Sequence, residues 1–145
     1  LDRFGLSVEV RTPQDLPSRI EVVRRRDAFD RDPYGFAAAW RNENRKLRRK
    51  VAVARSRVNL IAMPDAMLEQ AAKLCLALGT DGLRGELTLM RAARALAAYE
   101  GSESVTTSHL KVVAPASLRH RLRRDPLDEA GSTVRVELAL QKTFG

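Results

Sequence analysis

Two arginines stand where this chain could meet an anion. In Gly79-Thr80-Asp81-Gly82-Leu83-Arg84-Gly85-Glu86-Leu87, two glycines and an aspartate make a tight turn, and Arg84 then falls in the first turn of a helix. The helix dipole disfavours a cation there, while the unpaired N–H groups of the same end suit a phosphate. An anion beside Arg84 would relieve that repulsion and accept a charge-assisted, bidentate contact. The local alternative is an ion pair with Glu86 or Asp81, and the residues alone do not choose between the two. Arg91 lies seven residues on, projecting from nearly the same face, and Arg94 follows three later. They either extend a positive strip or solvate the helix, and solvation is the simpler reading. The second arginine is Arg3, in Leu1-Asp2-Arg3-Phe4-Gly5, which reads either as a solvated linker residue or as a cation on the loop feeding a strand edge.

Other chemistry is thinly represented. There is no GxxxxGK[ST] phosphate loop, no GxGxxG after a strand, no HExxH and no GxSxG. His109 and His120 bracket one predicted helix with no cysteine or carboxylate at ligand spacing, so no metal site is expected. Cys75, the only cysteine, excludes an internal disulfide, and its place on an apolar stripe marks it as a buried structural thiol. The chain holds no self-sufficient catalytic apparatus.

The elements that must position these residues are mostly helical. Leu6, Val8 and Val10 alternate with Ser7 and Glu9, the period of a strand buried on one face, until Thr12-Pro13 stops it. Asp15 caps a helix reaching Phe29, with Pro17 in its first turn and Leu16, Ile20 and Val23 as its stripe. Turn formers at Asp30–Pro33 separate it from a longer helix, Tyr34 to Arg57, whose run Arg45–Lys50 is the densest positive charge in the chain. Beyond that lie a helix from Pro64-Asp65 to Gly79, with Met67, Leu68, Ala71, Leu74, Cys75 and Leu78 inward, and another from Leu83 to Glu100, with Leu87, Met90, Ala93, Leu96 and Ala97 inward. A third, capped by Val105–Ser108, is expected to run to Arg124 and to be kinked or split by Pro115. Residues 63–124 thus read as a three-helix unit with a marginal core, and Asp128–Phe144 as a short helix or a mobile tail.

Charge is placed unevenly. Residues 1–62 carry a net +7 and residues 63–145 a net +1, so any acidic or nucleic-acid partner would meet the front half. Aromatics make up only 5% of the chain, and the basic runs contain none of the stacking residues that single-strand binders use. No apolar run is long enough to span a membrane, and the first residues lack the pattern of a secretory signal.

Taken in order, Leu1–Val10, Arg24–Asp27, Ala77–Leu89, Arg91–Ala98 and Leu118–Ser132 resemble the I subunit of magnesium chelatase, an AAA+ ATPase family of chlorophyll and bacteriochlorophyll biosynthesis. The likeness is weakest at residues 41–60 and after Thr133. It implies a mainly α fold: residues 1–14 as the end of an AAA+ α/β core with its last strand, residues 15–62 as linker helices, and residues 63–145 as a C-terminal helical lid. It further implies that Arg3 is an arginine finger acting in trans on a neighbour's nucleotide and that Arg84 is the sensor 2 arginine contacting phosphates from the lid. ATP with Mg2+ would be the cofactor, bound mainly by residues outside this chain, so the chain alone should be inert. Expected partners are a homo-oligomeric ring, the D subunit and the porphyrin-binding H subunit, in a bacterial cytoplasm or a plastid stroma. A small basic helical nucleic-acid module, using Arg45–Lys50 and Arg119–Arg124, and the lid of a MoxR-like ATPase are the alternatives.

Overall fold

The computed structural model describes residues 4–80, 82–122 and 132–145. Seven α-helices occur among them: α1 (Leu16–Arg31), α2 (Pro33–Ala39), α3 (Arg41–Arg57), α4 (Asp65–Leu78), α5 (Arg84–Glu100), α6 (Thr107–Leu118) and α7 (Ser132–Phe144). Single 3-10 turns follow α3 at Val58–Leu60 and α6 at Arg119–Arg121. The mainly helical expectation holds. The chain divides into two units, one comprising Glu9–Ala52 and the other Val53–Gly145 with the segment ending at Val8.

In the first unit, Asp15 accepts a 2.8 Å bond from the Ser18 amide and Pro17 occupies the first turn of α1, as the sequence predicts. Acids a turn away hold four of the five arginines of α1: Arg24 and Arg25 meet Glu21, Arg26 meets Asp30 and Arg31 meets Asp27. The expected single helix from Tyr34 to Arg57 is two helices, broken at Trp40, whose backbone (φ −87°, ψ 0°) leaves the helical region. That break lets Trp40 stay on Phe36, ring centroids 6.1 Å apart, while Phe36 meets Phe29 edge-on at 5.8 Å. Arg25 caps the cluster 4.7 Å above the Trp40 ring.

The second unit is a four-helix bundle. α4 buries Ala71, Leu74, Cys75 and Leu78, the stripe predicted from the sequence, and ends at Gly79. α5 packs chiefly on α6, and both also meet α4. The inward face of α5 is Gly85, Leu89, Ala93 and Ala97; Leu87, expected inward, is about half exposed. Small residues at 85, 93 and 97 bring the neighbouring helices close, which selects this register over the larger side chains flanking it. α6 continues through Pro115 and stops at Leu118 rather than Arg124. Pro115 removes one donor near the end of the helix, and the 3-10 turn then tightens the chain.

One open alternative is decided here and one expectation is corrected. Of the two readings for the last residues the helix is observed: Ser132–Phe144 buries Val136 and Ala139 against α4 and α6, adding a fourth helix to the three of residues 63–124. Leu6–Val10 forms no strand; Val8 and Val10 are 72% and 89% exposed, and the described residues offer no strand for a ladder. The nearest approach to a ladder is a single bridge, Ala62 to Ser104, which fastens buried Ile61 and Val105.

Candidate functional site: an arginine-lined cleft on the bundle

The cleft begins at the turn between α4 and α5. Gly79 (φ 63°) and Gly82 (φ 66°) take the left-handed conformation that only glycine adopts without strain, and together they reverse the chain within a few residues. Asp81, the third turn former, lies outside the described residues. Gly85 then allows α5 to start against α4: a β-carbon at that position would stand 3.2 Å from Thr80 Oγ1 and 3.5 Å from Cys75 Sγ. The N-cap residue Leu83 offers no side-chain acceptor to the first-turn amides of α5. Arg84 is the first residue of this helix, exposed above those amides.

From there the helical period decides which arginines share a face. Positions 84, 88 and 91 advance by about one and two turns and stay aligned, whereas position 94 rotates roughly 80° away. Gly5, Arg84, Thr88, Arg91 and Arg121 accordingly line one cleft of about 360 Å³. Arg94 is absent from that wall, and its Nε is buried without a hydrogen-bond partner. Arg91 is exposed, in keeping with the simpler sequence reading of solvation, and it also lies on the wall of the cleft.

Arg121 joins through the end of α6. Its Nε donates to the Ser117 carbonyl at 3.1 Å, capping the last turn of the helix. Its Nη2 donates to the Phe4 carbonyl at 2.9 Å and lies 3.4 Å from Thr88 Oγ1. His120 Nε2 donates to the same Phe4 carbonyl at 2.9 Å, which fixes the proton on that nitrogen. With the Ser7 amide bonded to the Ala116 carbonyl at 2.8 Å, residues 4–7 are pinned to the end of α6. Arg3 itself lies outside the described residues, so its expected role is untouched by this geometry. Arg121 and Thr88 were not predicted as site residues. A helix-terminal arginine followed by a 3-10 turn carries no local signal of the segment more than a hundred residues away that it meets.

Among the described residues the wall of the cleft carries three guanidiniums and no carboxylate. The guanidiniums give the cleft a fork-shaped donor set. Phosphate chemistry fits that donor set: planar N–H pairs and a threonine hydroxyl both donate to anionic oxygens.

The remaining candidates have structural occupations. His109 is buried; its Nδ1 accepts from the Thr106 amide at 2.9 Å and its Nε2 donates to Glu100 at 3.1 Å, closing the cap of α6 and tying it to α5. No group of three or more metal-ligating side chains occurs among the described residues. Cys75 is buried as expected, and that burial, with the nearby negative charge of Glu86, pushes its thiol up to about 11. The runs proposed for nucleic acid fare unequally. Residues 45–50 are exposed on α3, whereas Arg119 and Arg121 each bond a helix-end carbonyl, and Arg123 and Arg124 lie outside the described residues.

Similarity to known proteins covers most of this chain. Residues 68–139 match the AAA lid domain family, a span covering α5, α6 and the cleft arginines at 84, 91 and 121. Over 99% of its length the chain is 60% identical to the magnesium-chelatase 38 kDa subunit of Acidiphilium rubrum and 55% identical to that of Rhodobacter capsulatus, covering 42% and 41% of those proteins. It is 40% identical to the chloroplastic magnesium-chelatase subunit ChlI of Oryza sativa subsp. indica, covering 99% of the chain and 35% of that protein. The chain thus spans about two fifths of the length of the curated bacterial relatives it matches. Along that stretch it is similar to the magnesium-chelatase 38 kDa, or ChlI-type, subunits, and its residues 68–139 match an AAA lid domain.

Proposed function

We propose that this chain is the lid-bearing part of the ATP-hydrolysing motor subunit of magnesium chelatase, and that the arginine cleft is where its lid meets nucleotide phosphates. The observation that carries the reading is Arg84, standing in the first turn of α5 on the wall of a cleft it shares with Thr88, Arg91 and Arg121. In this role ATP with Mg2+ supplies the transferable phosphate, and the chain's own groups supply orientation and charge. Arg84 neutralises phosphate oxygens from the lid and reports whether the terminal phosphate is present, as a sensor 2 arginine. Arg3 reaches from its loop toward the nucleotide of an adjacent protomer and stabilises charge developing during hydrolysis, as an arginine finger. Residues 1–14 close the AAA+ core, residues 15–62 link it to the lid, and residues 63–145 form the lid. The remaining nucleotide-binding parts belong to the rest of the relatives' length. Turnover in a homo-oligomeric ring then drives the D and H subunits to insert Mg2+ into protoporphyrin IX.

Full-length protein tests this. With Arg3→Ala, nucleotide binding should persist while ATP hydrolysis falls by about a thousandfold or more, the scale known for arginine fingers. With Arg84→Ala, ring assembly, followed by sedimentation, should cease to distinguish ATP from ADP. Wild-type hydrolysis by the Arg3 variant would remove the finger assignment, and unchanged nucleotide-dependent assembly by the Arg84 variant would remove the sensor.

A further inference from the structure

We infer that His120 is a positioning residue for Arg3: its Nε2–H holds the Phe4 carbonyl against the end of α6 and thereby sets where the arginine finger stands. The inference rests on the reading of Arg3 as that finger and adds what fixes it in place.

Residues 4–7 belong to no helix and no strand, so no repeating backbone pattern holds them. What ties them down comes from more than a hundred residues away. The Phe4 carbonyl accepts from His120 Nε2 and from Arg121 Nη2, each at 2.9 Å, which uses both lone pairs of that oxygen. The Ser7 amide donates to the Ala116 carbonyl at 2.8 Å. Between these anchors Gly5 passes over Thr88 of α5, where a β-carbon on the glycine would stand 4.0 Å from the threonine methyl. Anchors at both Phe4 and Ser7 fix the direction of the segment as well as its place. Phe4 follows Arg3 directly in the chain, so holding its carbonyl limits where the Arg3 guanidinium can reach.

The surroundings of His120 suit it to this one task. Its Nδ1 is buried and has no hydrogen-bond partner among the described residues. A proton on that nitrogen would be a stranded donor, so the ring is useful here only as an Nε2–H donor to Phe4. Arg121 also caps the last turn of α6 through the Ser117 carbonyl, so a change there would mix anchoring with helix stability. His120 separates the two. Displacing a catalytic group by about 1 Å can cost about a hundredfold in rate, which gives a single anchoring bond a measurable effect.

Full-length protein tests this with His120→Leu, which keeps bulk without a donor, and His120→Gln, whose amide nitrogen can donate from about the position of Nε2. His120→Leu should lower kcat for ATP hydrolysis by about tenfold or more and leave KM for ATP within about twofold, since a finger acts on the transition state. His120→Gln should recover most of the loss. Mixed rings locate the defect. A subunit disabled in its own phosphate-loop lysine still presents an intact finger to its neighbour. Adding it to His120→Leu subunits should raise hydrolysis above the sum of the two separate preparations, and Arg3→Ala subunits should respond alike. Rescue requires a folded pocket, so the mixed rings decide even where His120→Leu melts lower. Wild-type kcat in His120→Leu, a loss confined to KM, equal losses in the Leu and Gln variants, or no rise in mixed rings that do rescue Arg3→Ala overturns the inference and leaves the finger reading intact. If Arg3→Ala itself is not rescued, the finger reading fails and takes the positioning role with it.

Discussion

Cys75 shows how much a single residue's environment is set by its neighbours. It lies under the start of α5, where Gly85 leaves just enough room, and it faces the negative charge of Glu86. Both burial and that charge disfavour the thiolate, while a bond with Thr80 and the positive Arg121 partly offset them. The folded protein should therefore resist thiol alkylation at pH 8 and react fully once denatured, a difference read by mass spectrometry. A folded-state value of about 11, against an ordinary 9.0, means the native state holds this proton longer than the unfolded chain. Its contribution is complete below pH 9 and is lost as pH rises from 9 toward 11. Urea midpoints should fall across that window by more in the wild type than in Cys75→Val, and equal slopes would contradict the burial account.

At the scale of elements, α5 is the informative helix, because it carries the cleft on one face and the bundle core on the other. Its two leucines make opposite predictions. Leu89 is fully buried, so Leu89→Ala should cost about 2–5 kcal/mol of stability. Leu87 is 47% exposed, and Leu87→Ala should stay within about 0.5–1 kcal/mol. Chemical denaturation of both variants checks the register, and the reverse order would restore the stripe expected from periodicity. That expectation missed because Gly85, Ala93 and Ala97 carry little hydrophobic weight in a pattern, yet small residues decide how closely helices approach. α6 was legible at its start and not at its end. The Thr106–His109 cap is a local pattern of two residues, whereas the stop after Leu118 depends on Arg119 and Arg121 turning back onto the helix carbonyls.

For the whole molecule, α7 determines whether the lid has a complete core. Val136 is fully buried, on a helix that packs against both α4 and α6. Val136→Asp should place an unpaired charge in that core and destabilise the bundle by about 3–5 kcal/mol, seen as a lowered denaturation midpoint. A variant as stable as wild type would show that three helices suffice. The division at Ala52/Val53 has its own physical basis. Glu9–Ala52 is held by one aromatic cluster and local ion pairs, whereas the remainder shares a continuous apolar core. Exposed pairs of that kind contribute little individually, so the first unit should open before the bundle in native-state hydrogen exchange.

By itself the sequence determined what local physics governs: the helical class, the capped start of α1, the left-handed glycine that ends α4, the stripe of that helix, the buried cysteine and Arg84 at a helix start. Each depends on residues within a turn or two of one another. Tertiary structure alone decided the break at Trp40, the fourth helix, the inward face of α5 and the gathering of Arg84, Arg91 and Arg121 around one cleft. These depend on close approach between helices and on a carbonyl at Phe4 meeting donors more than a hundred residues away, and no spacing along the chain encodes such a meeting.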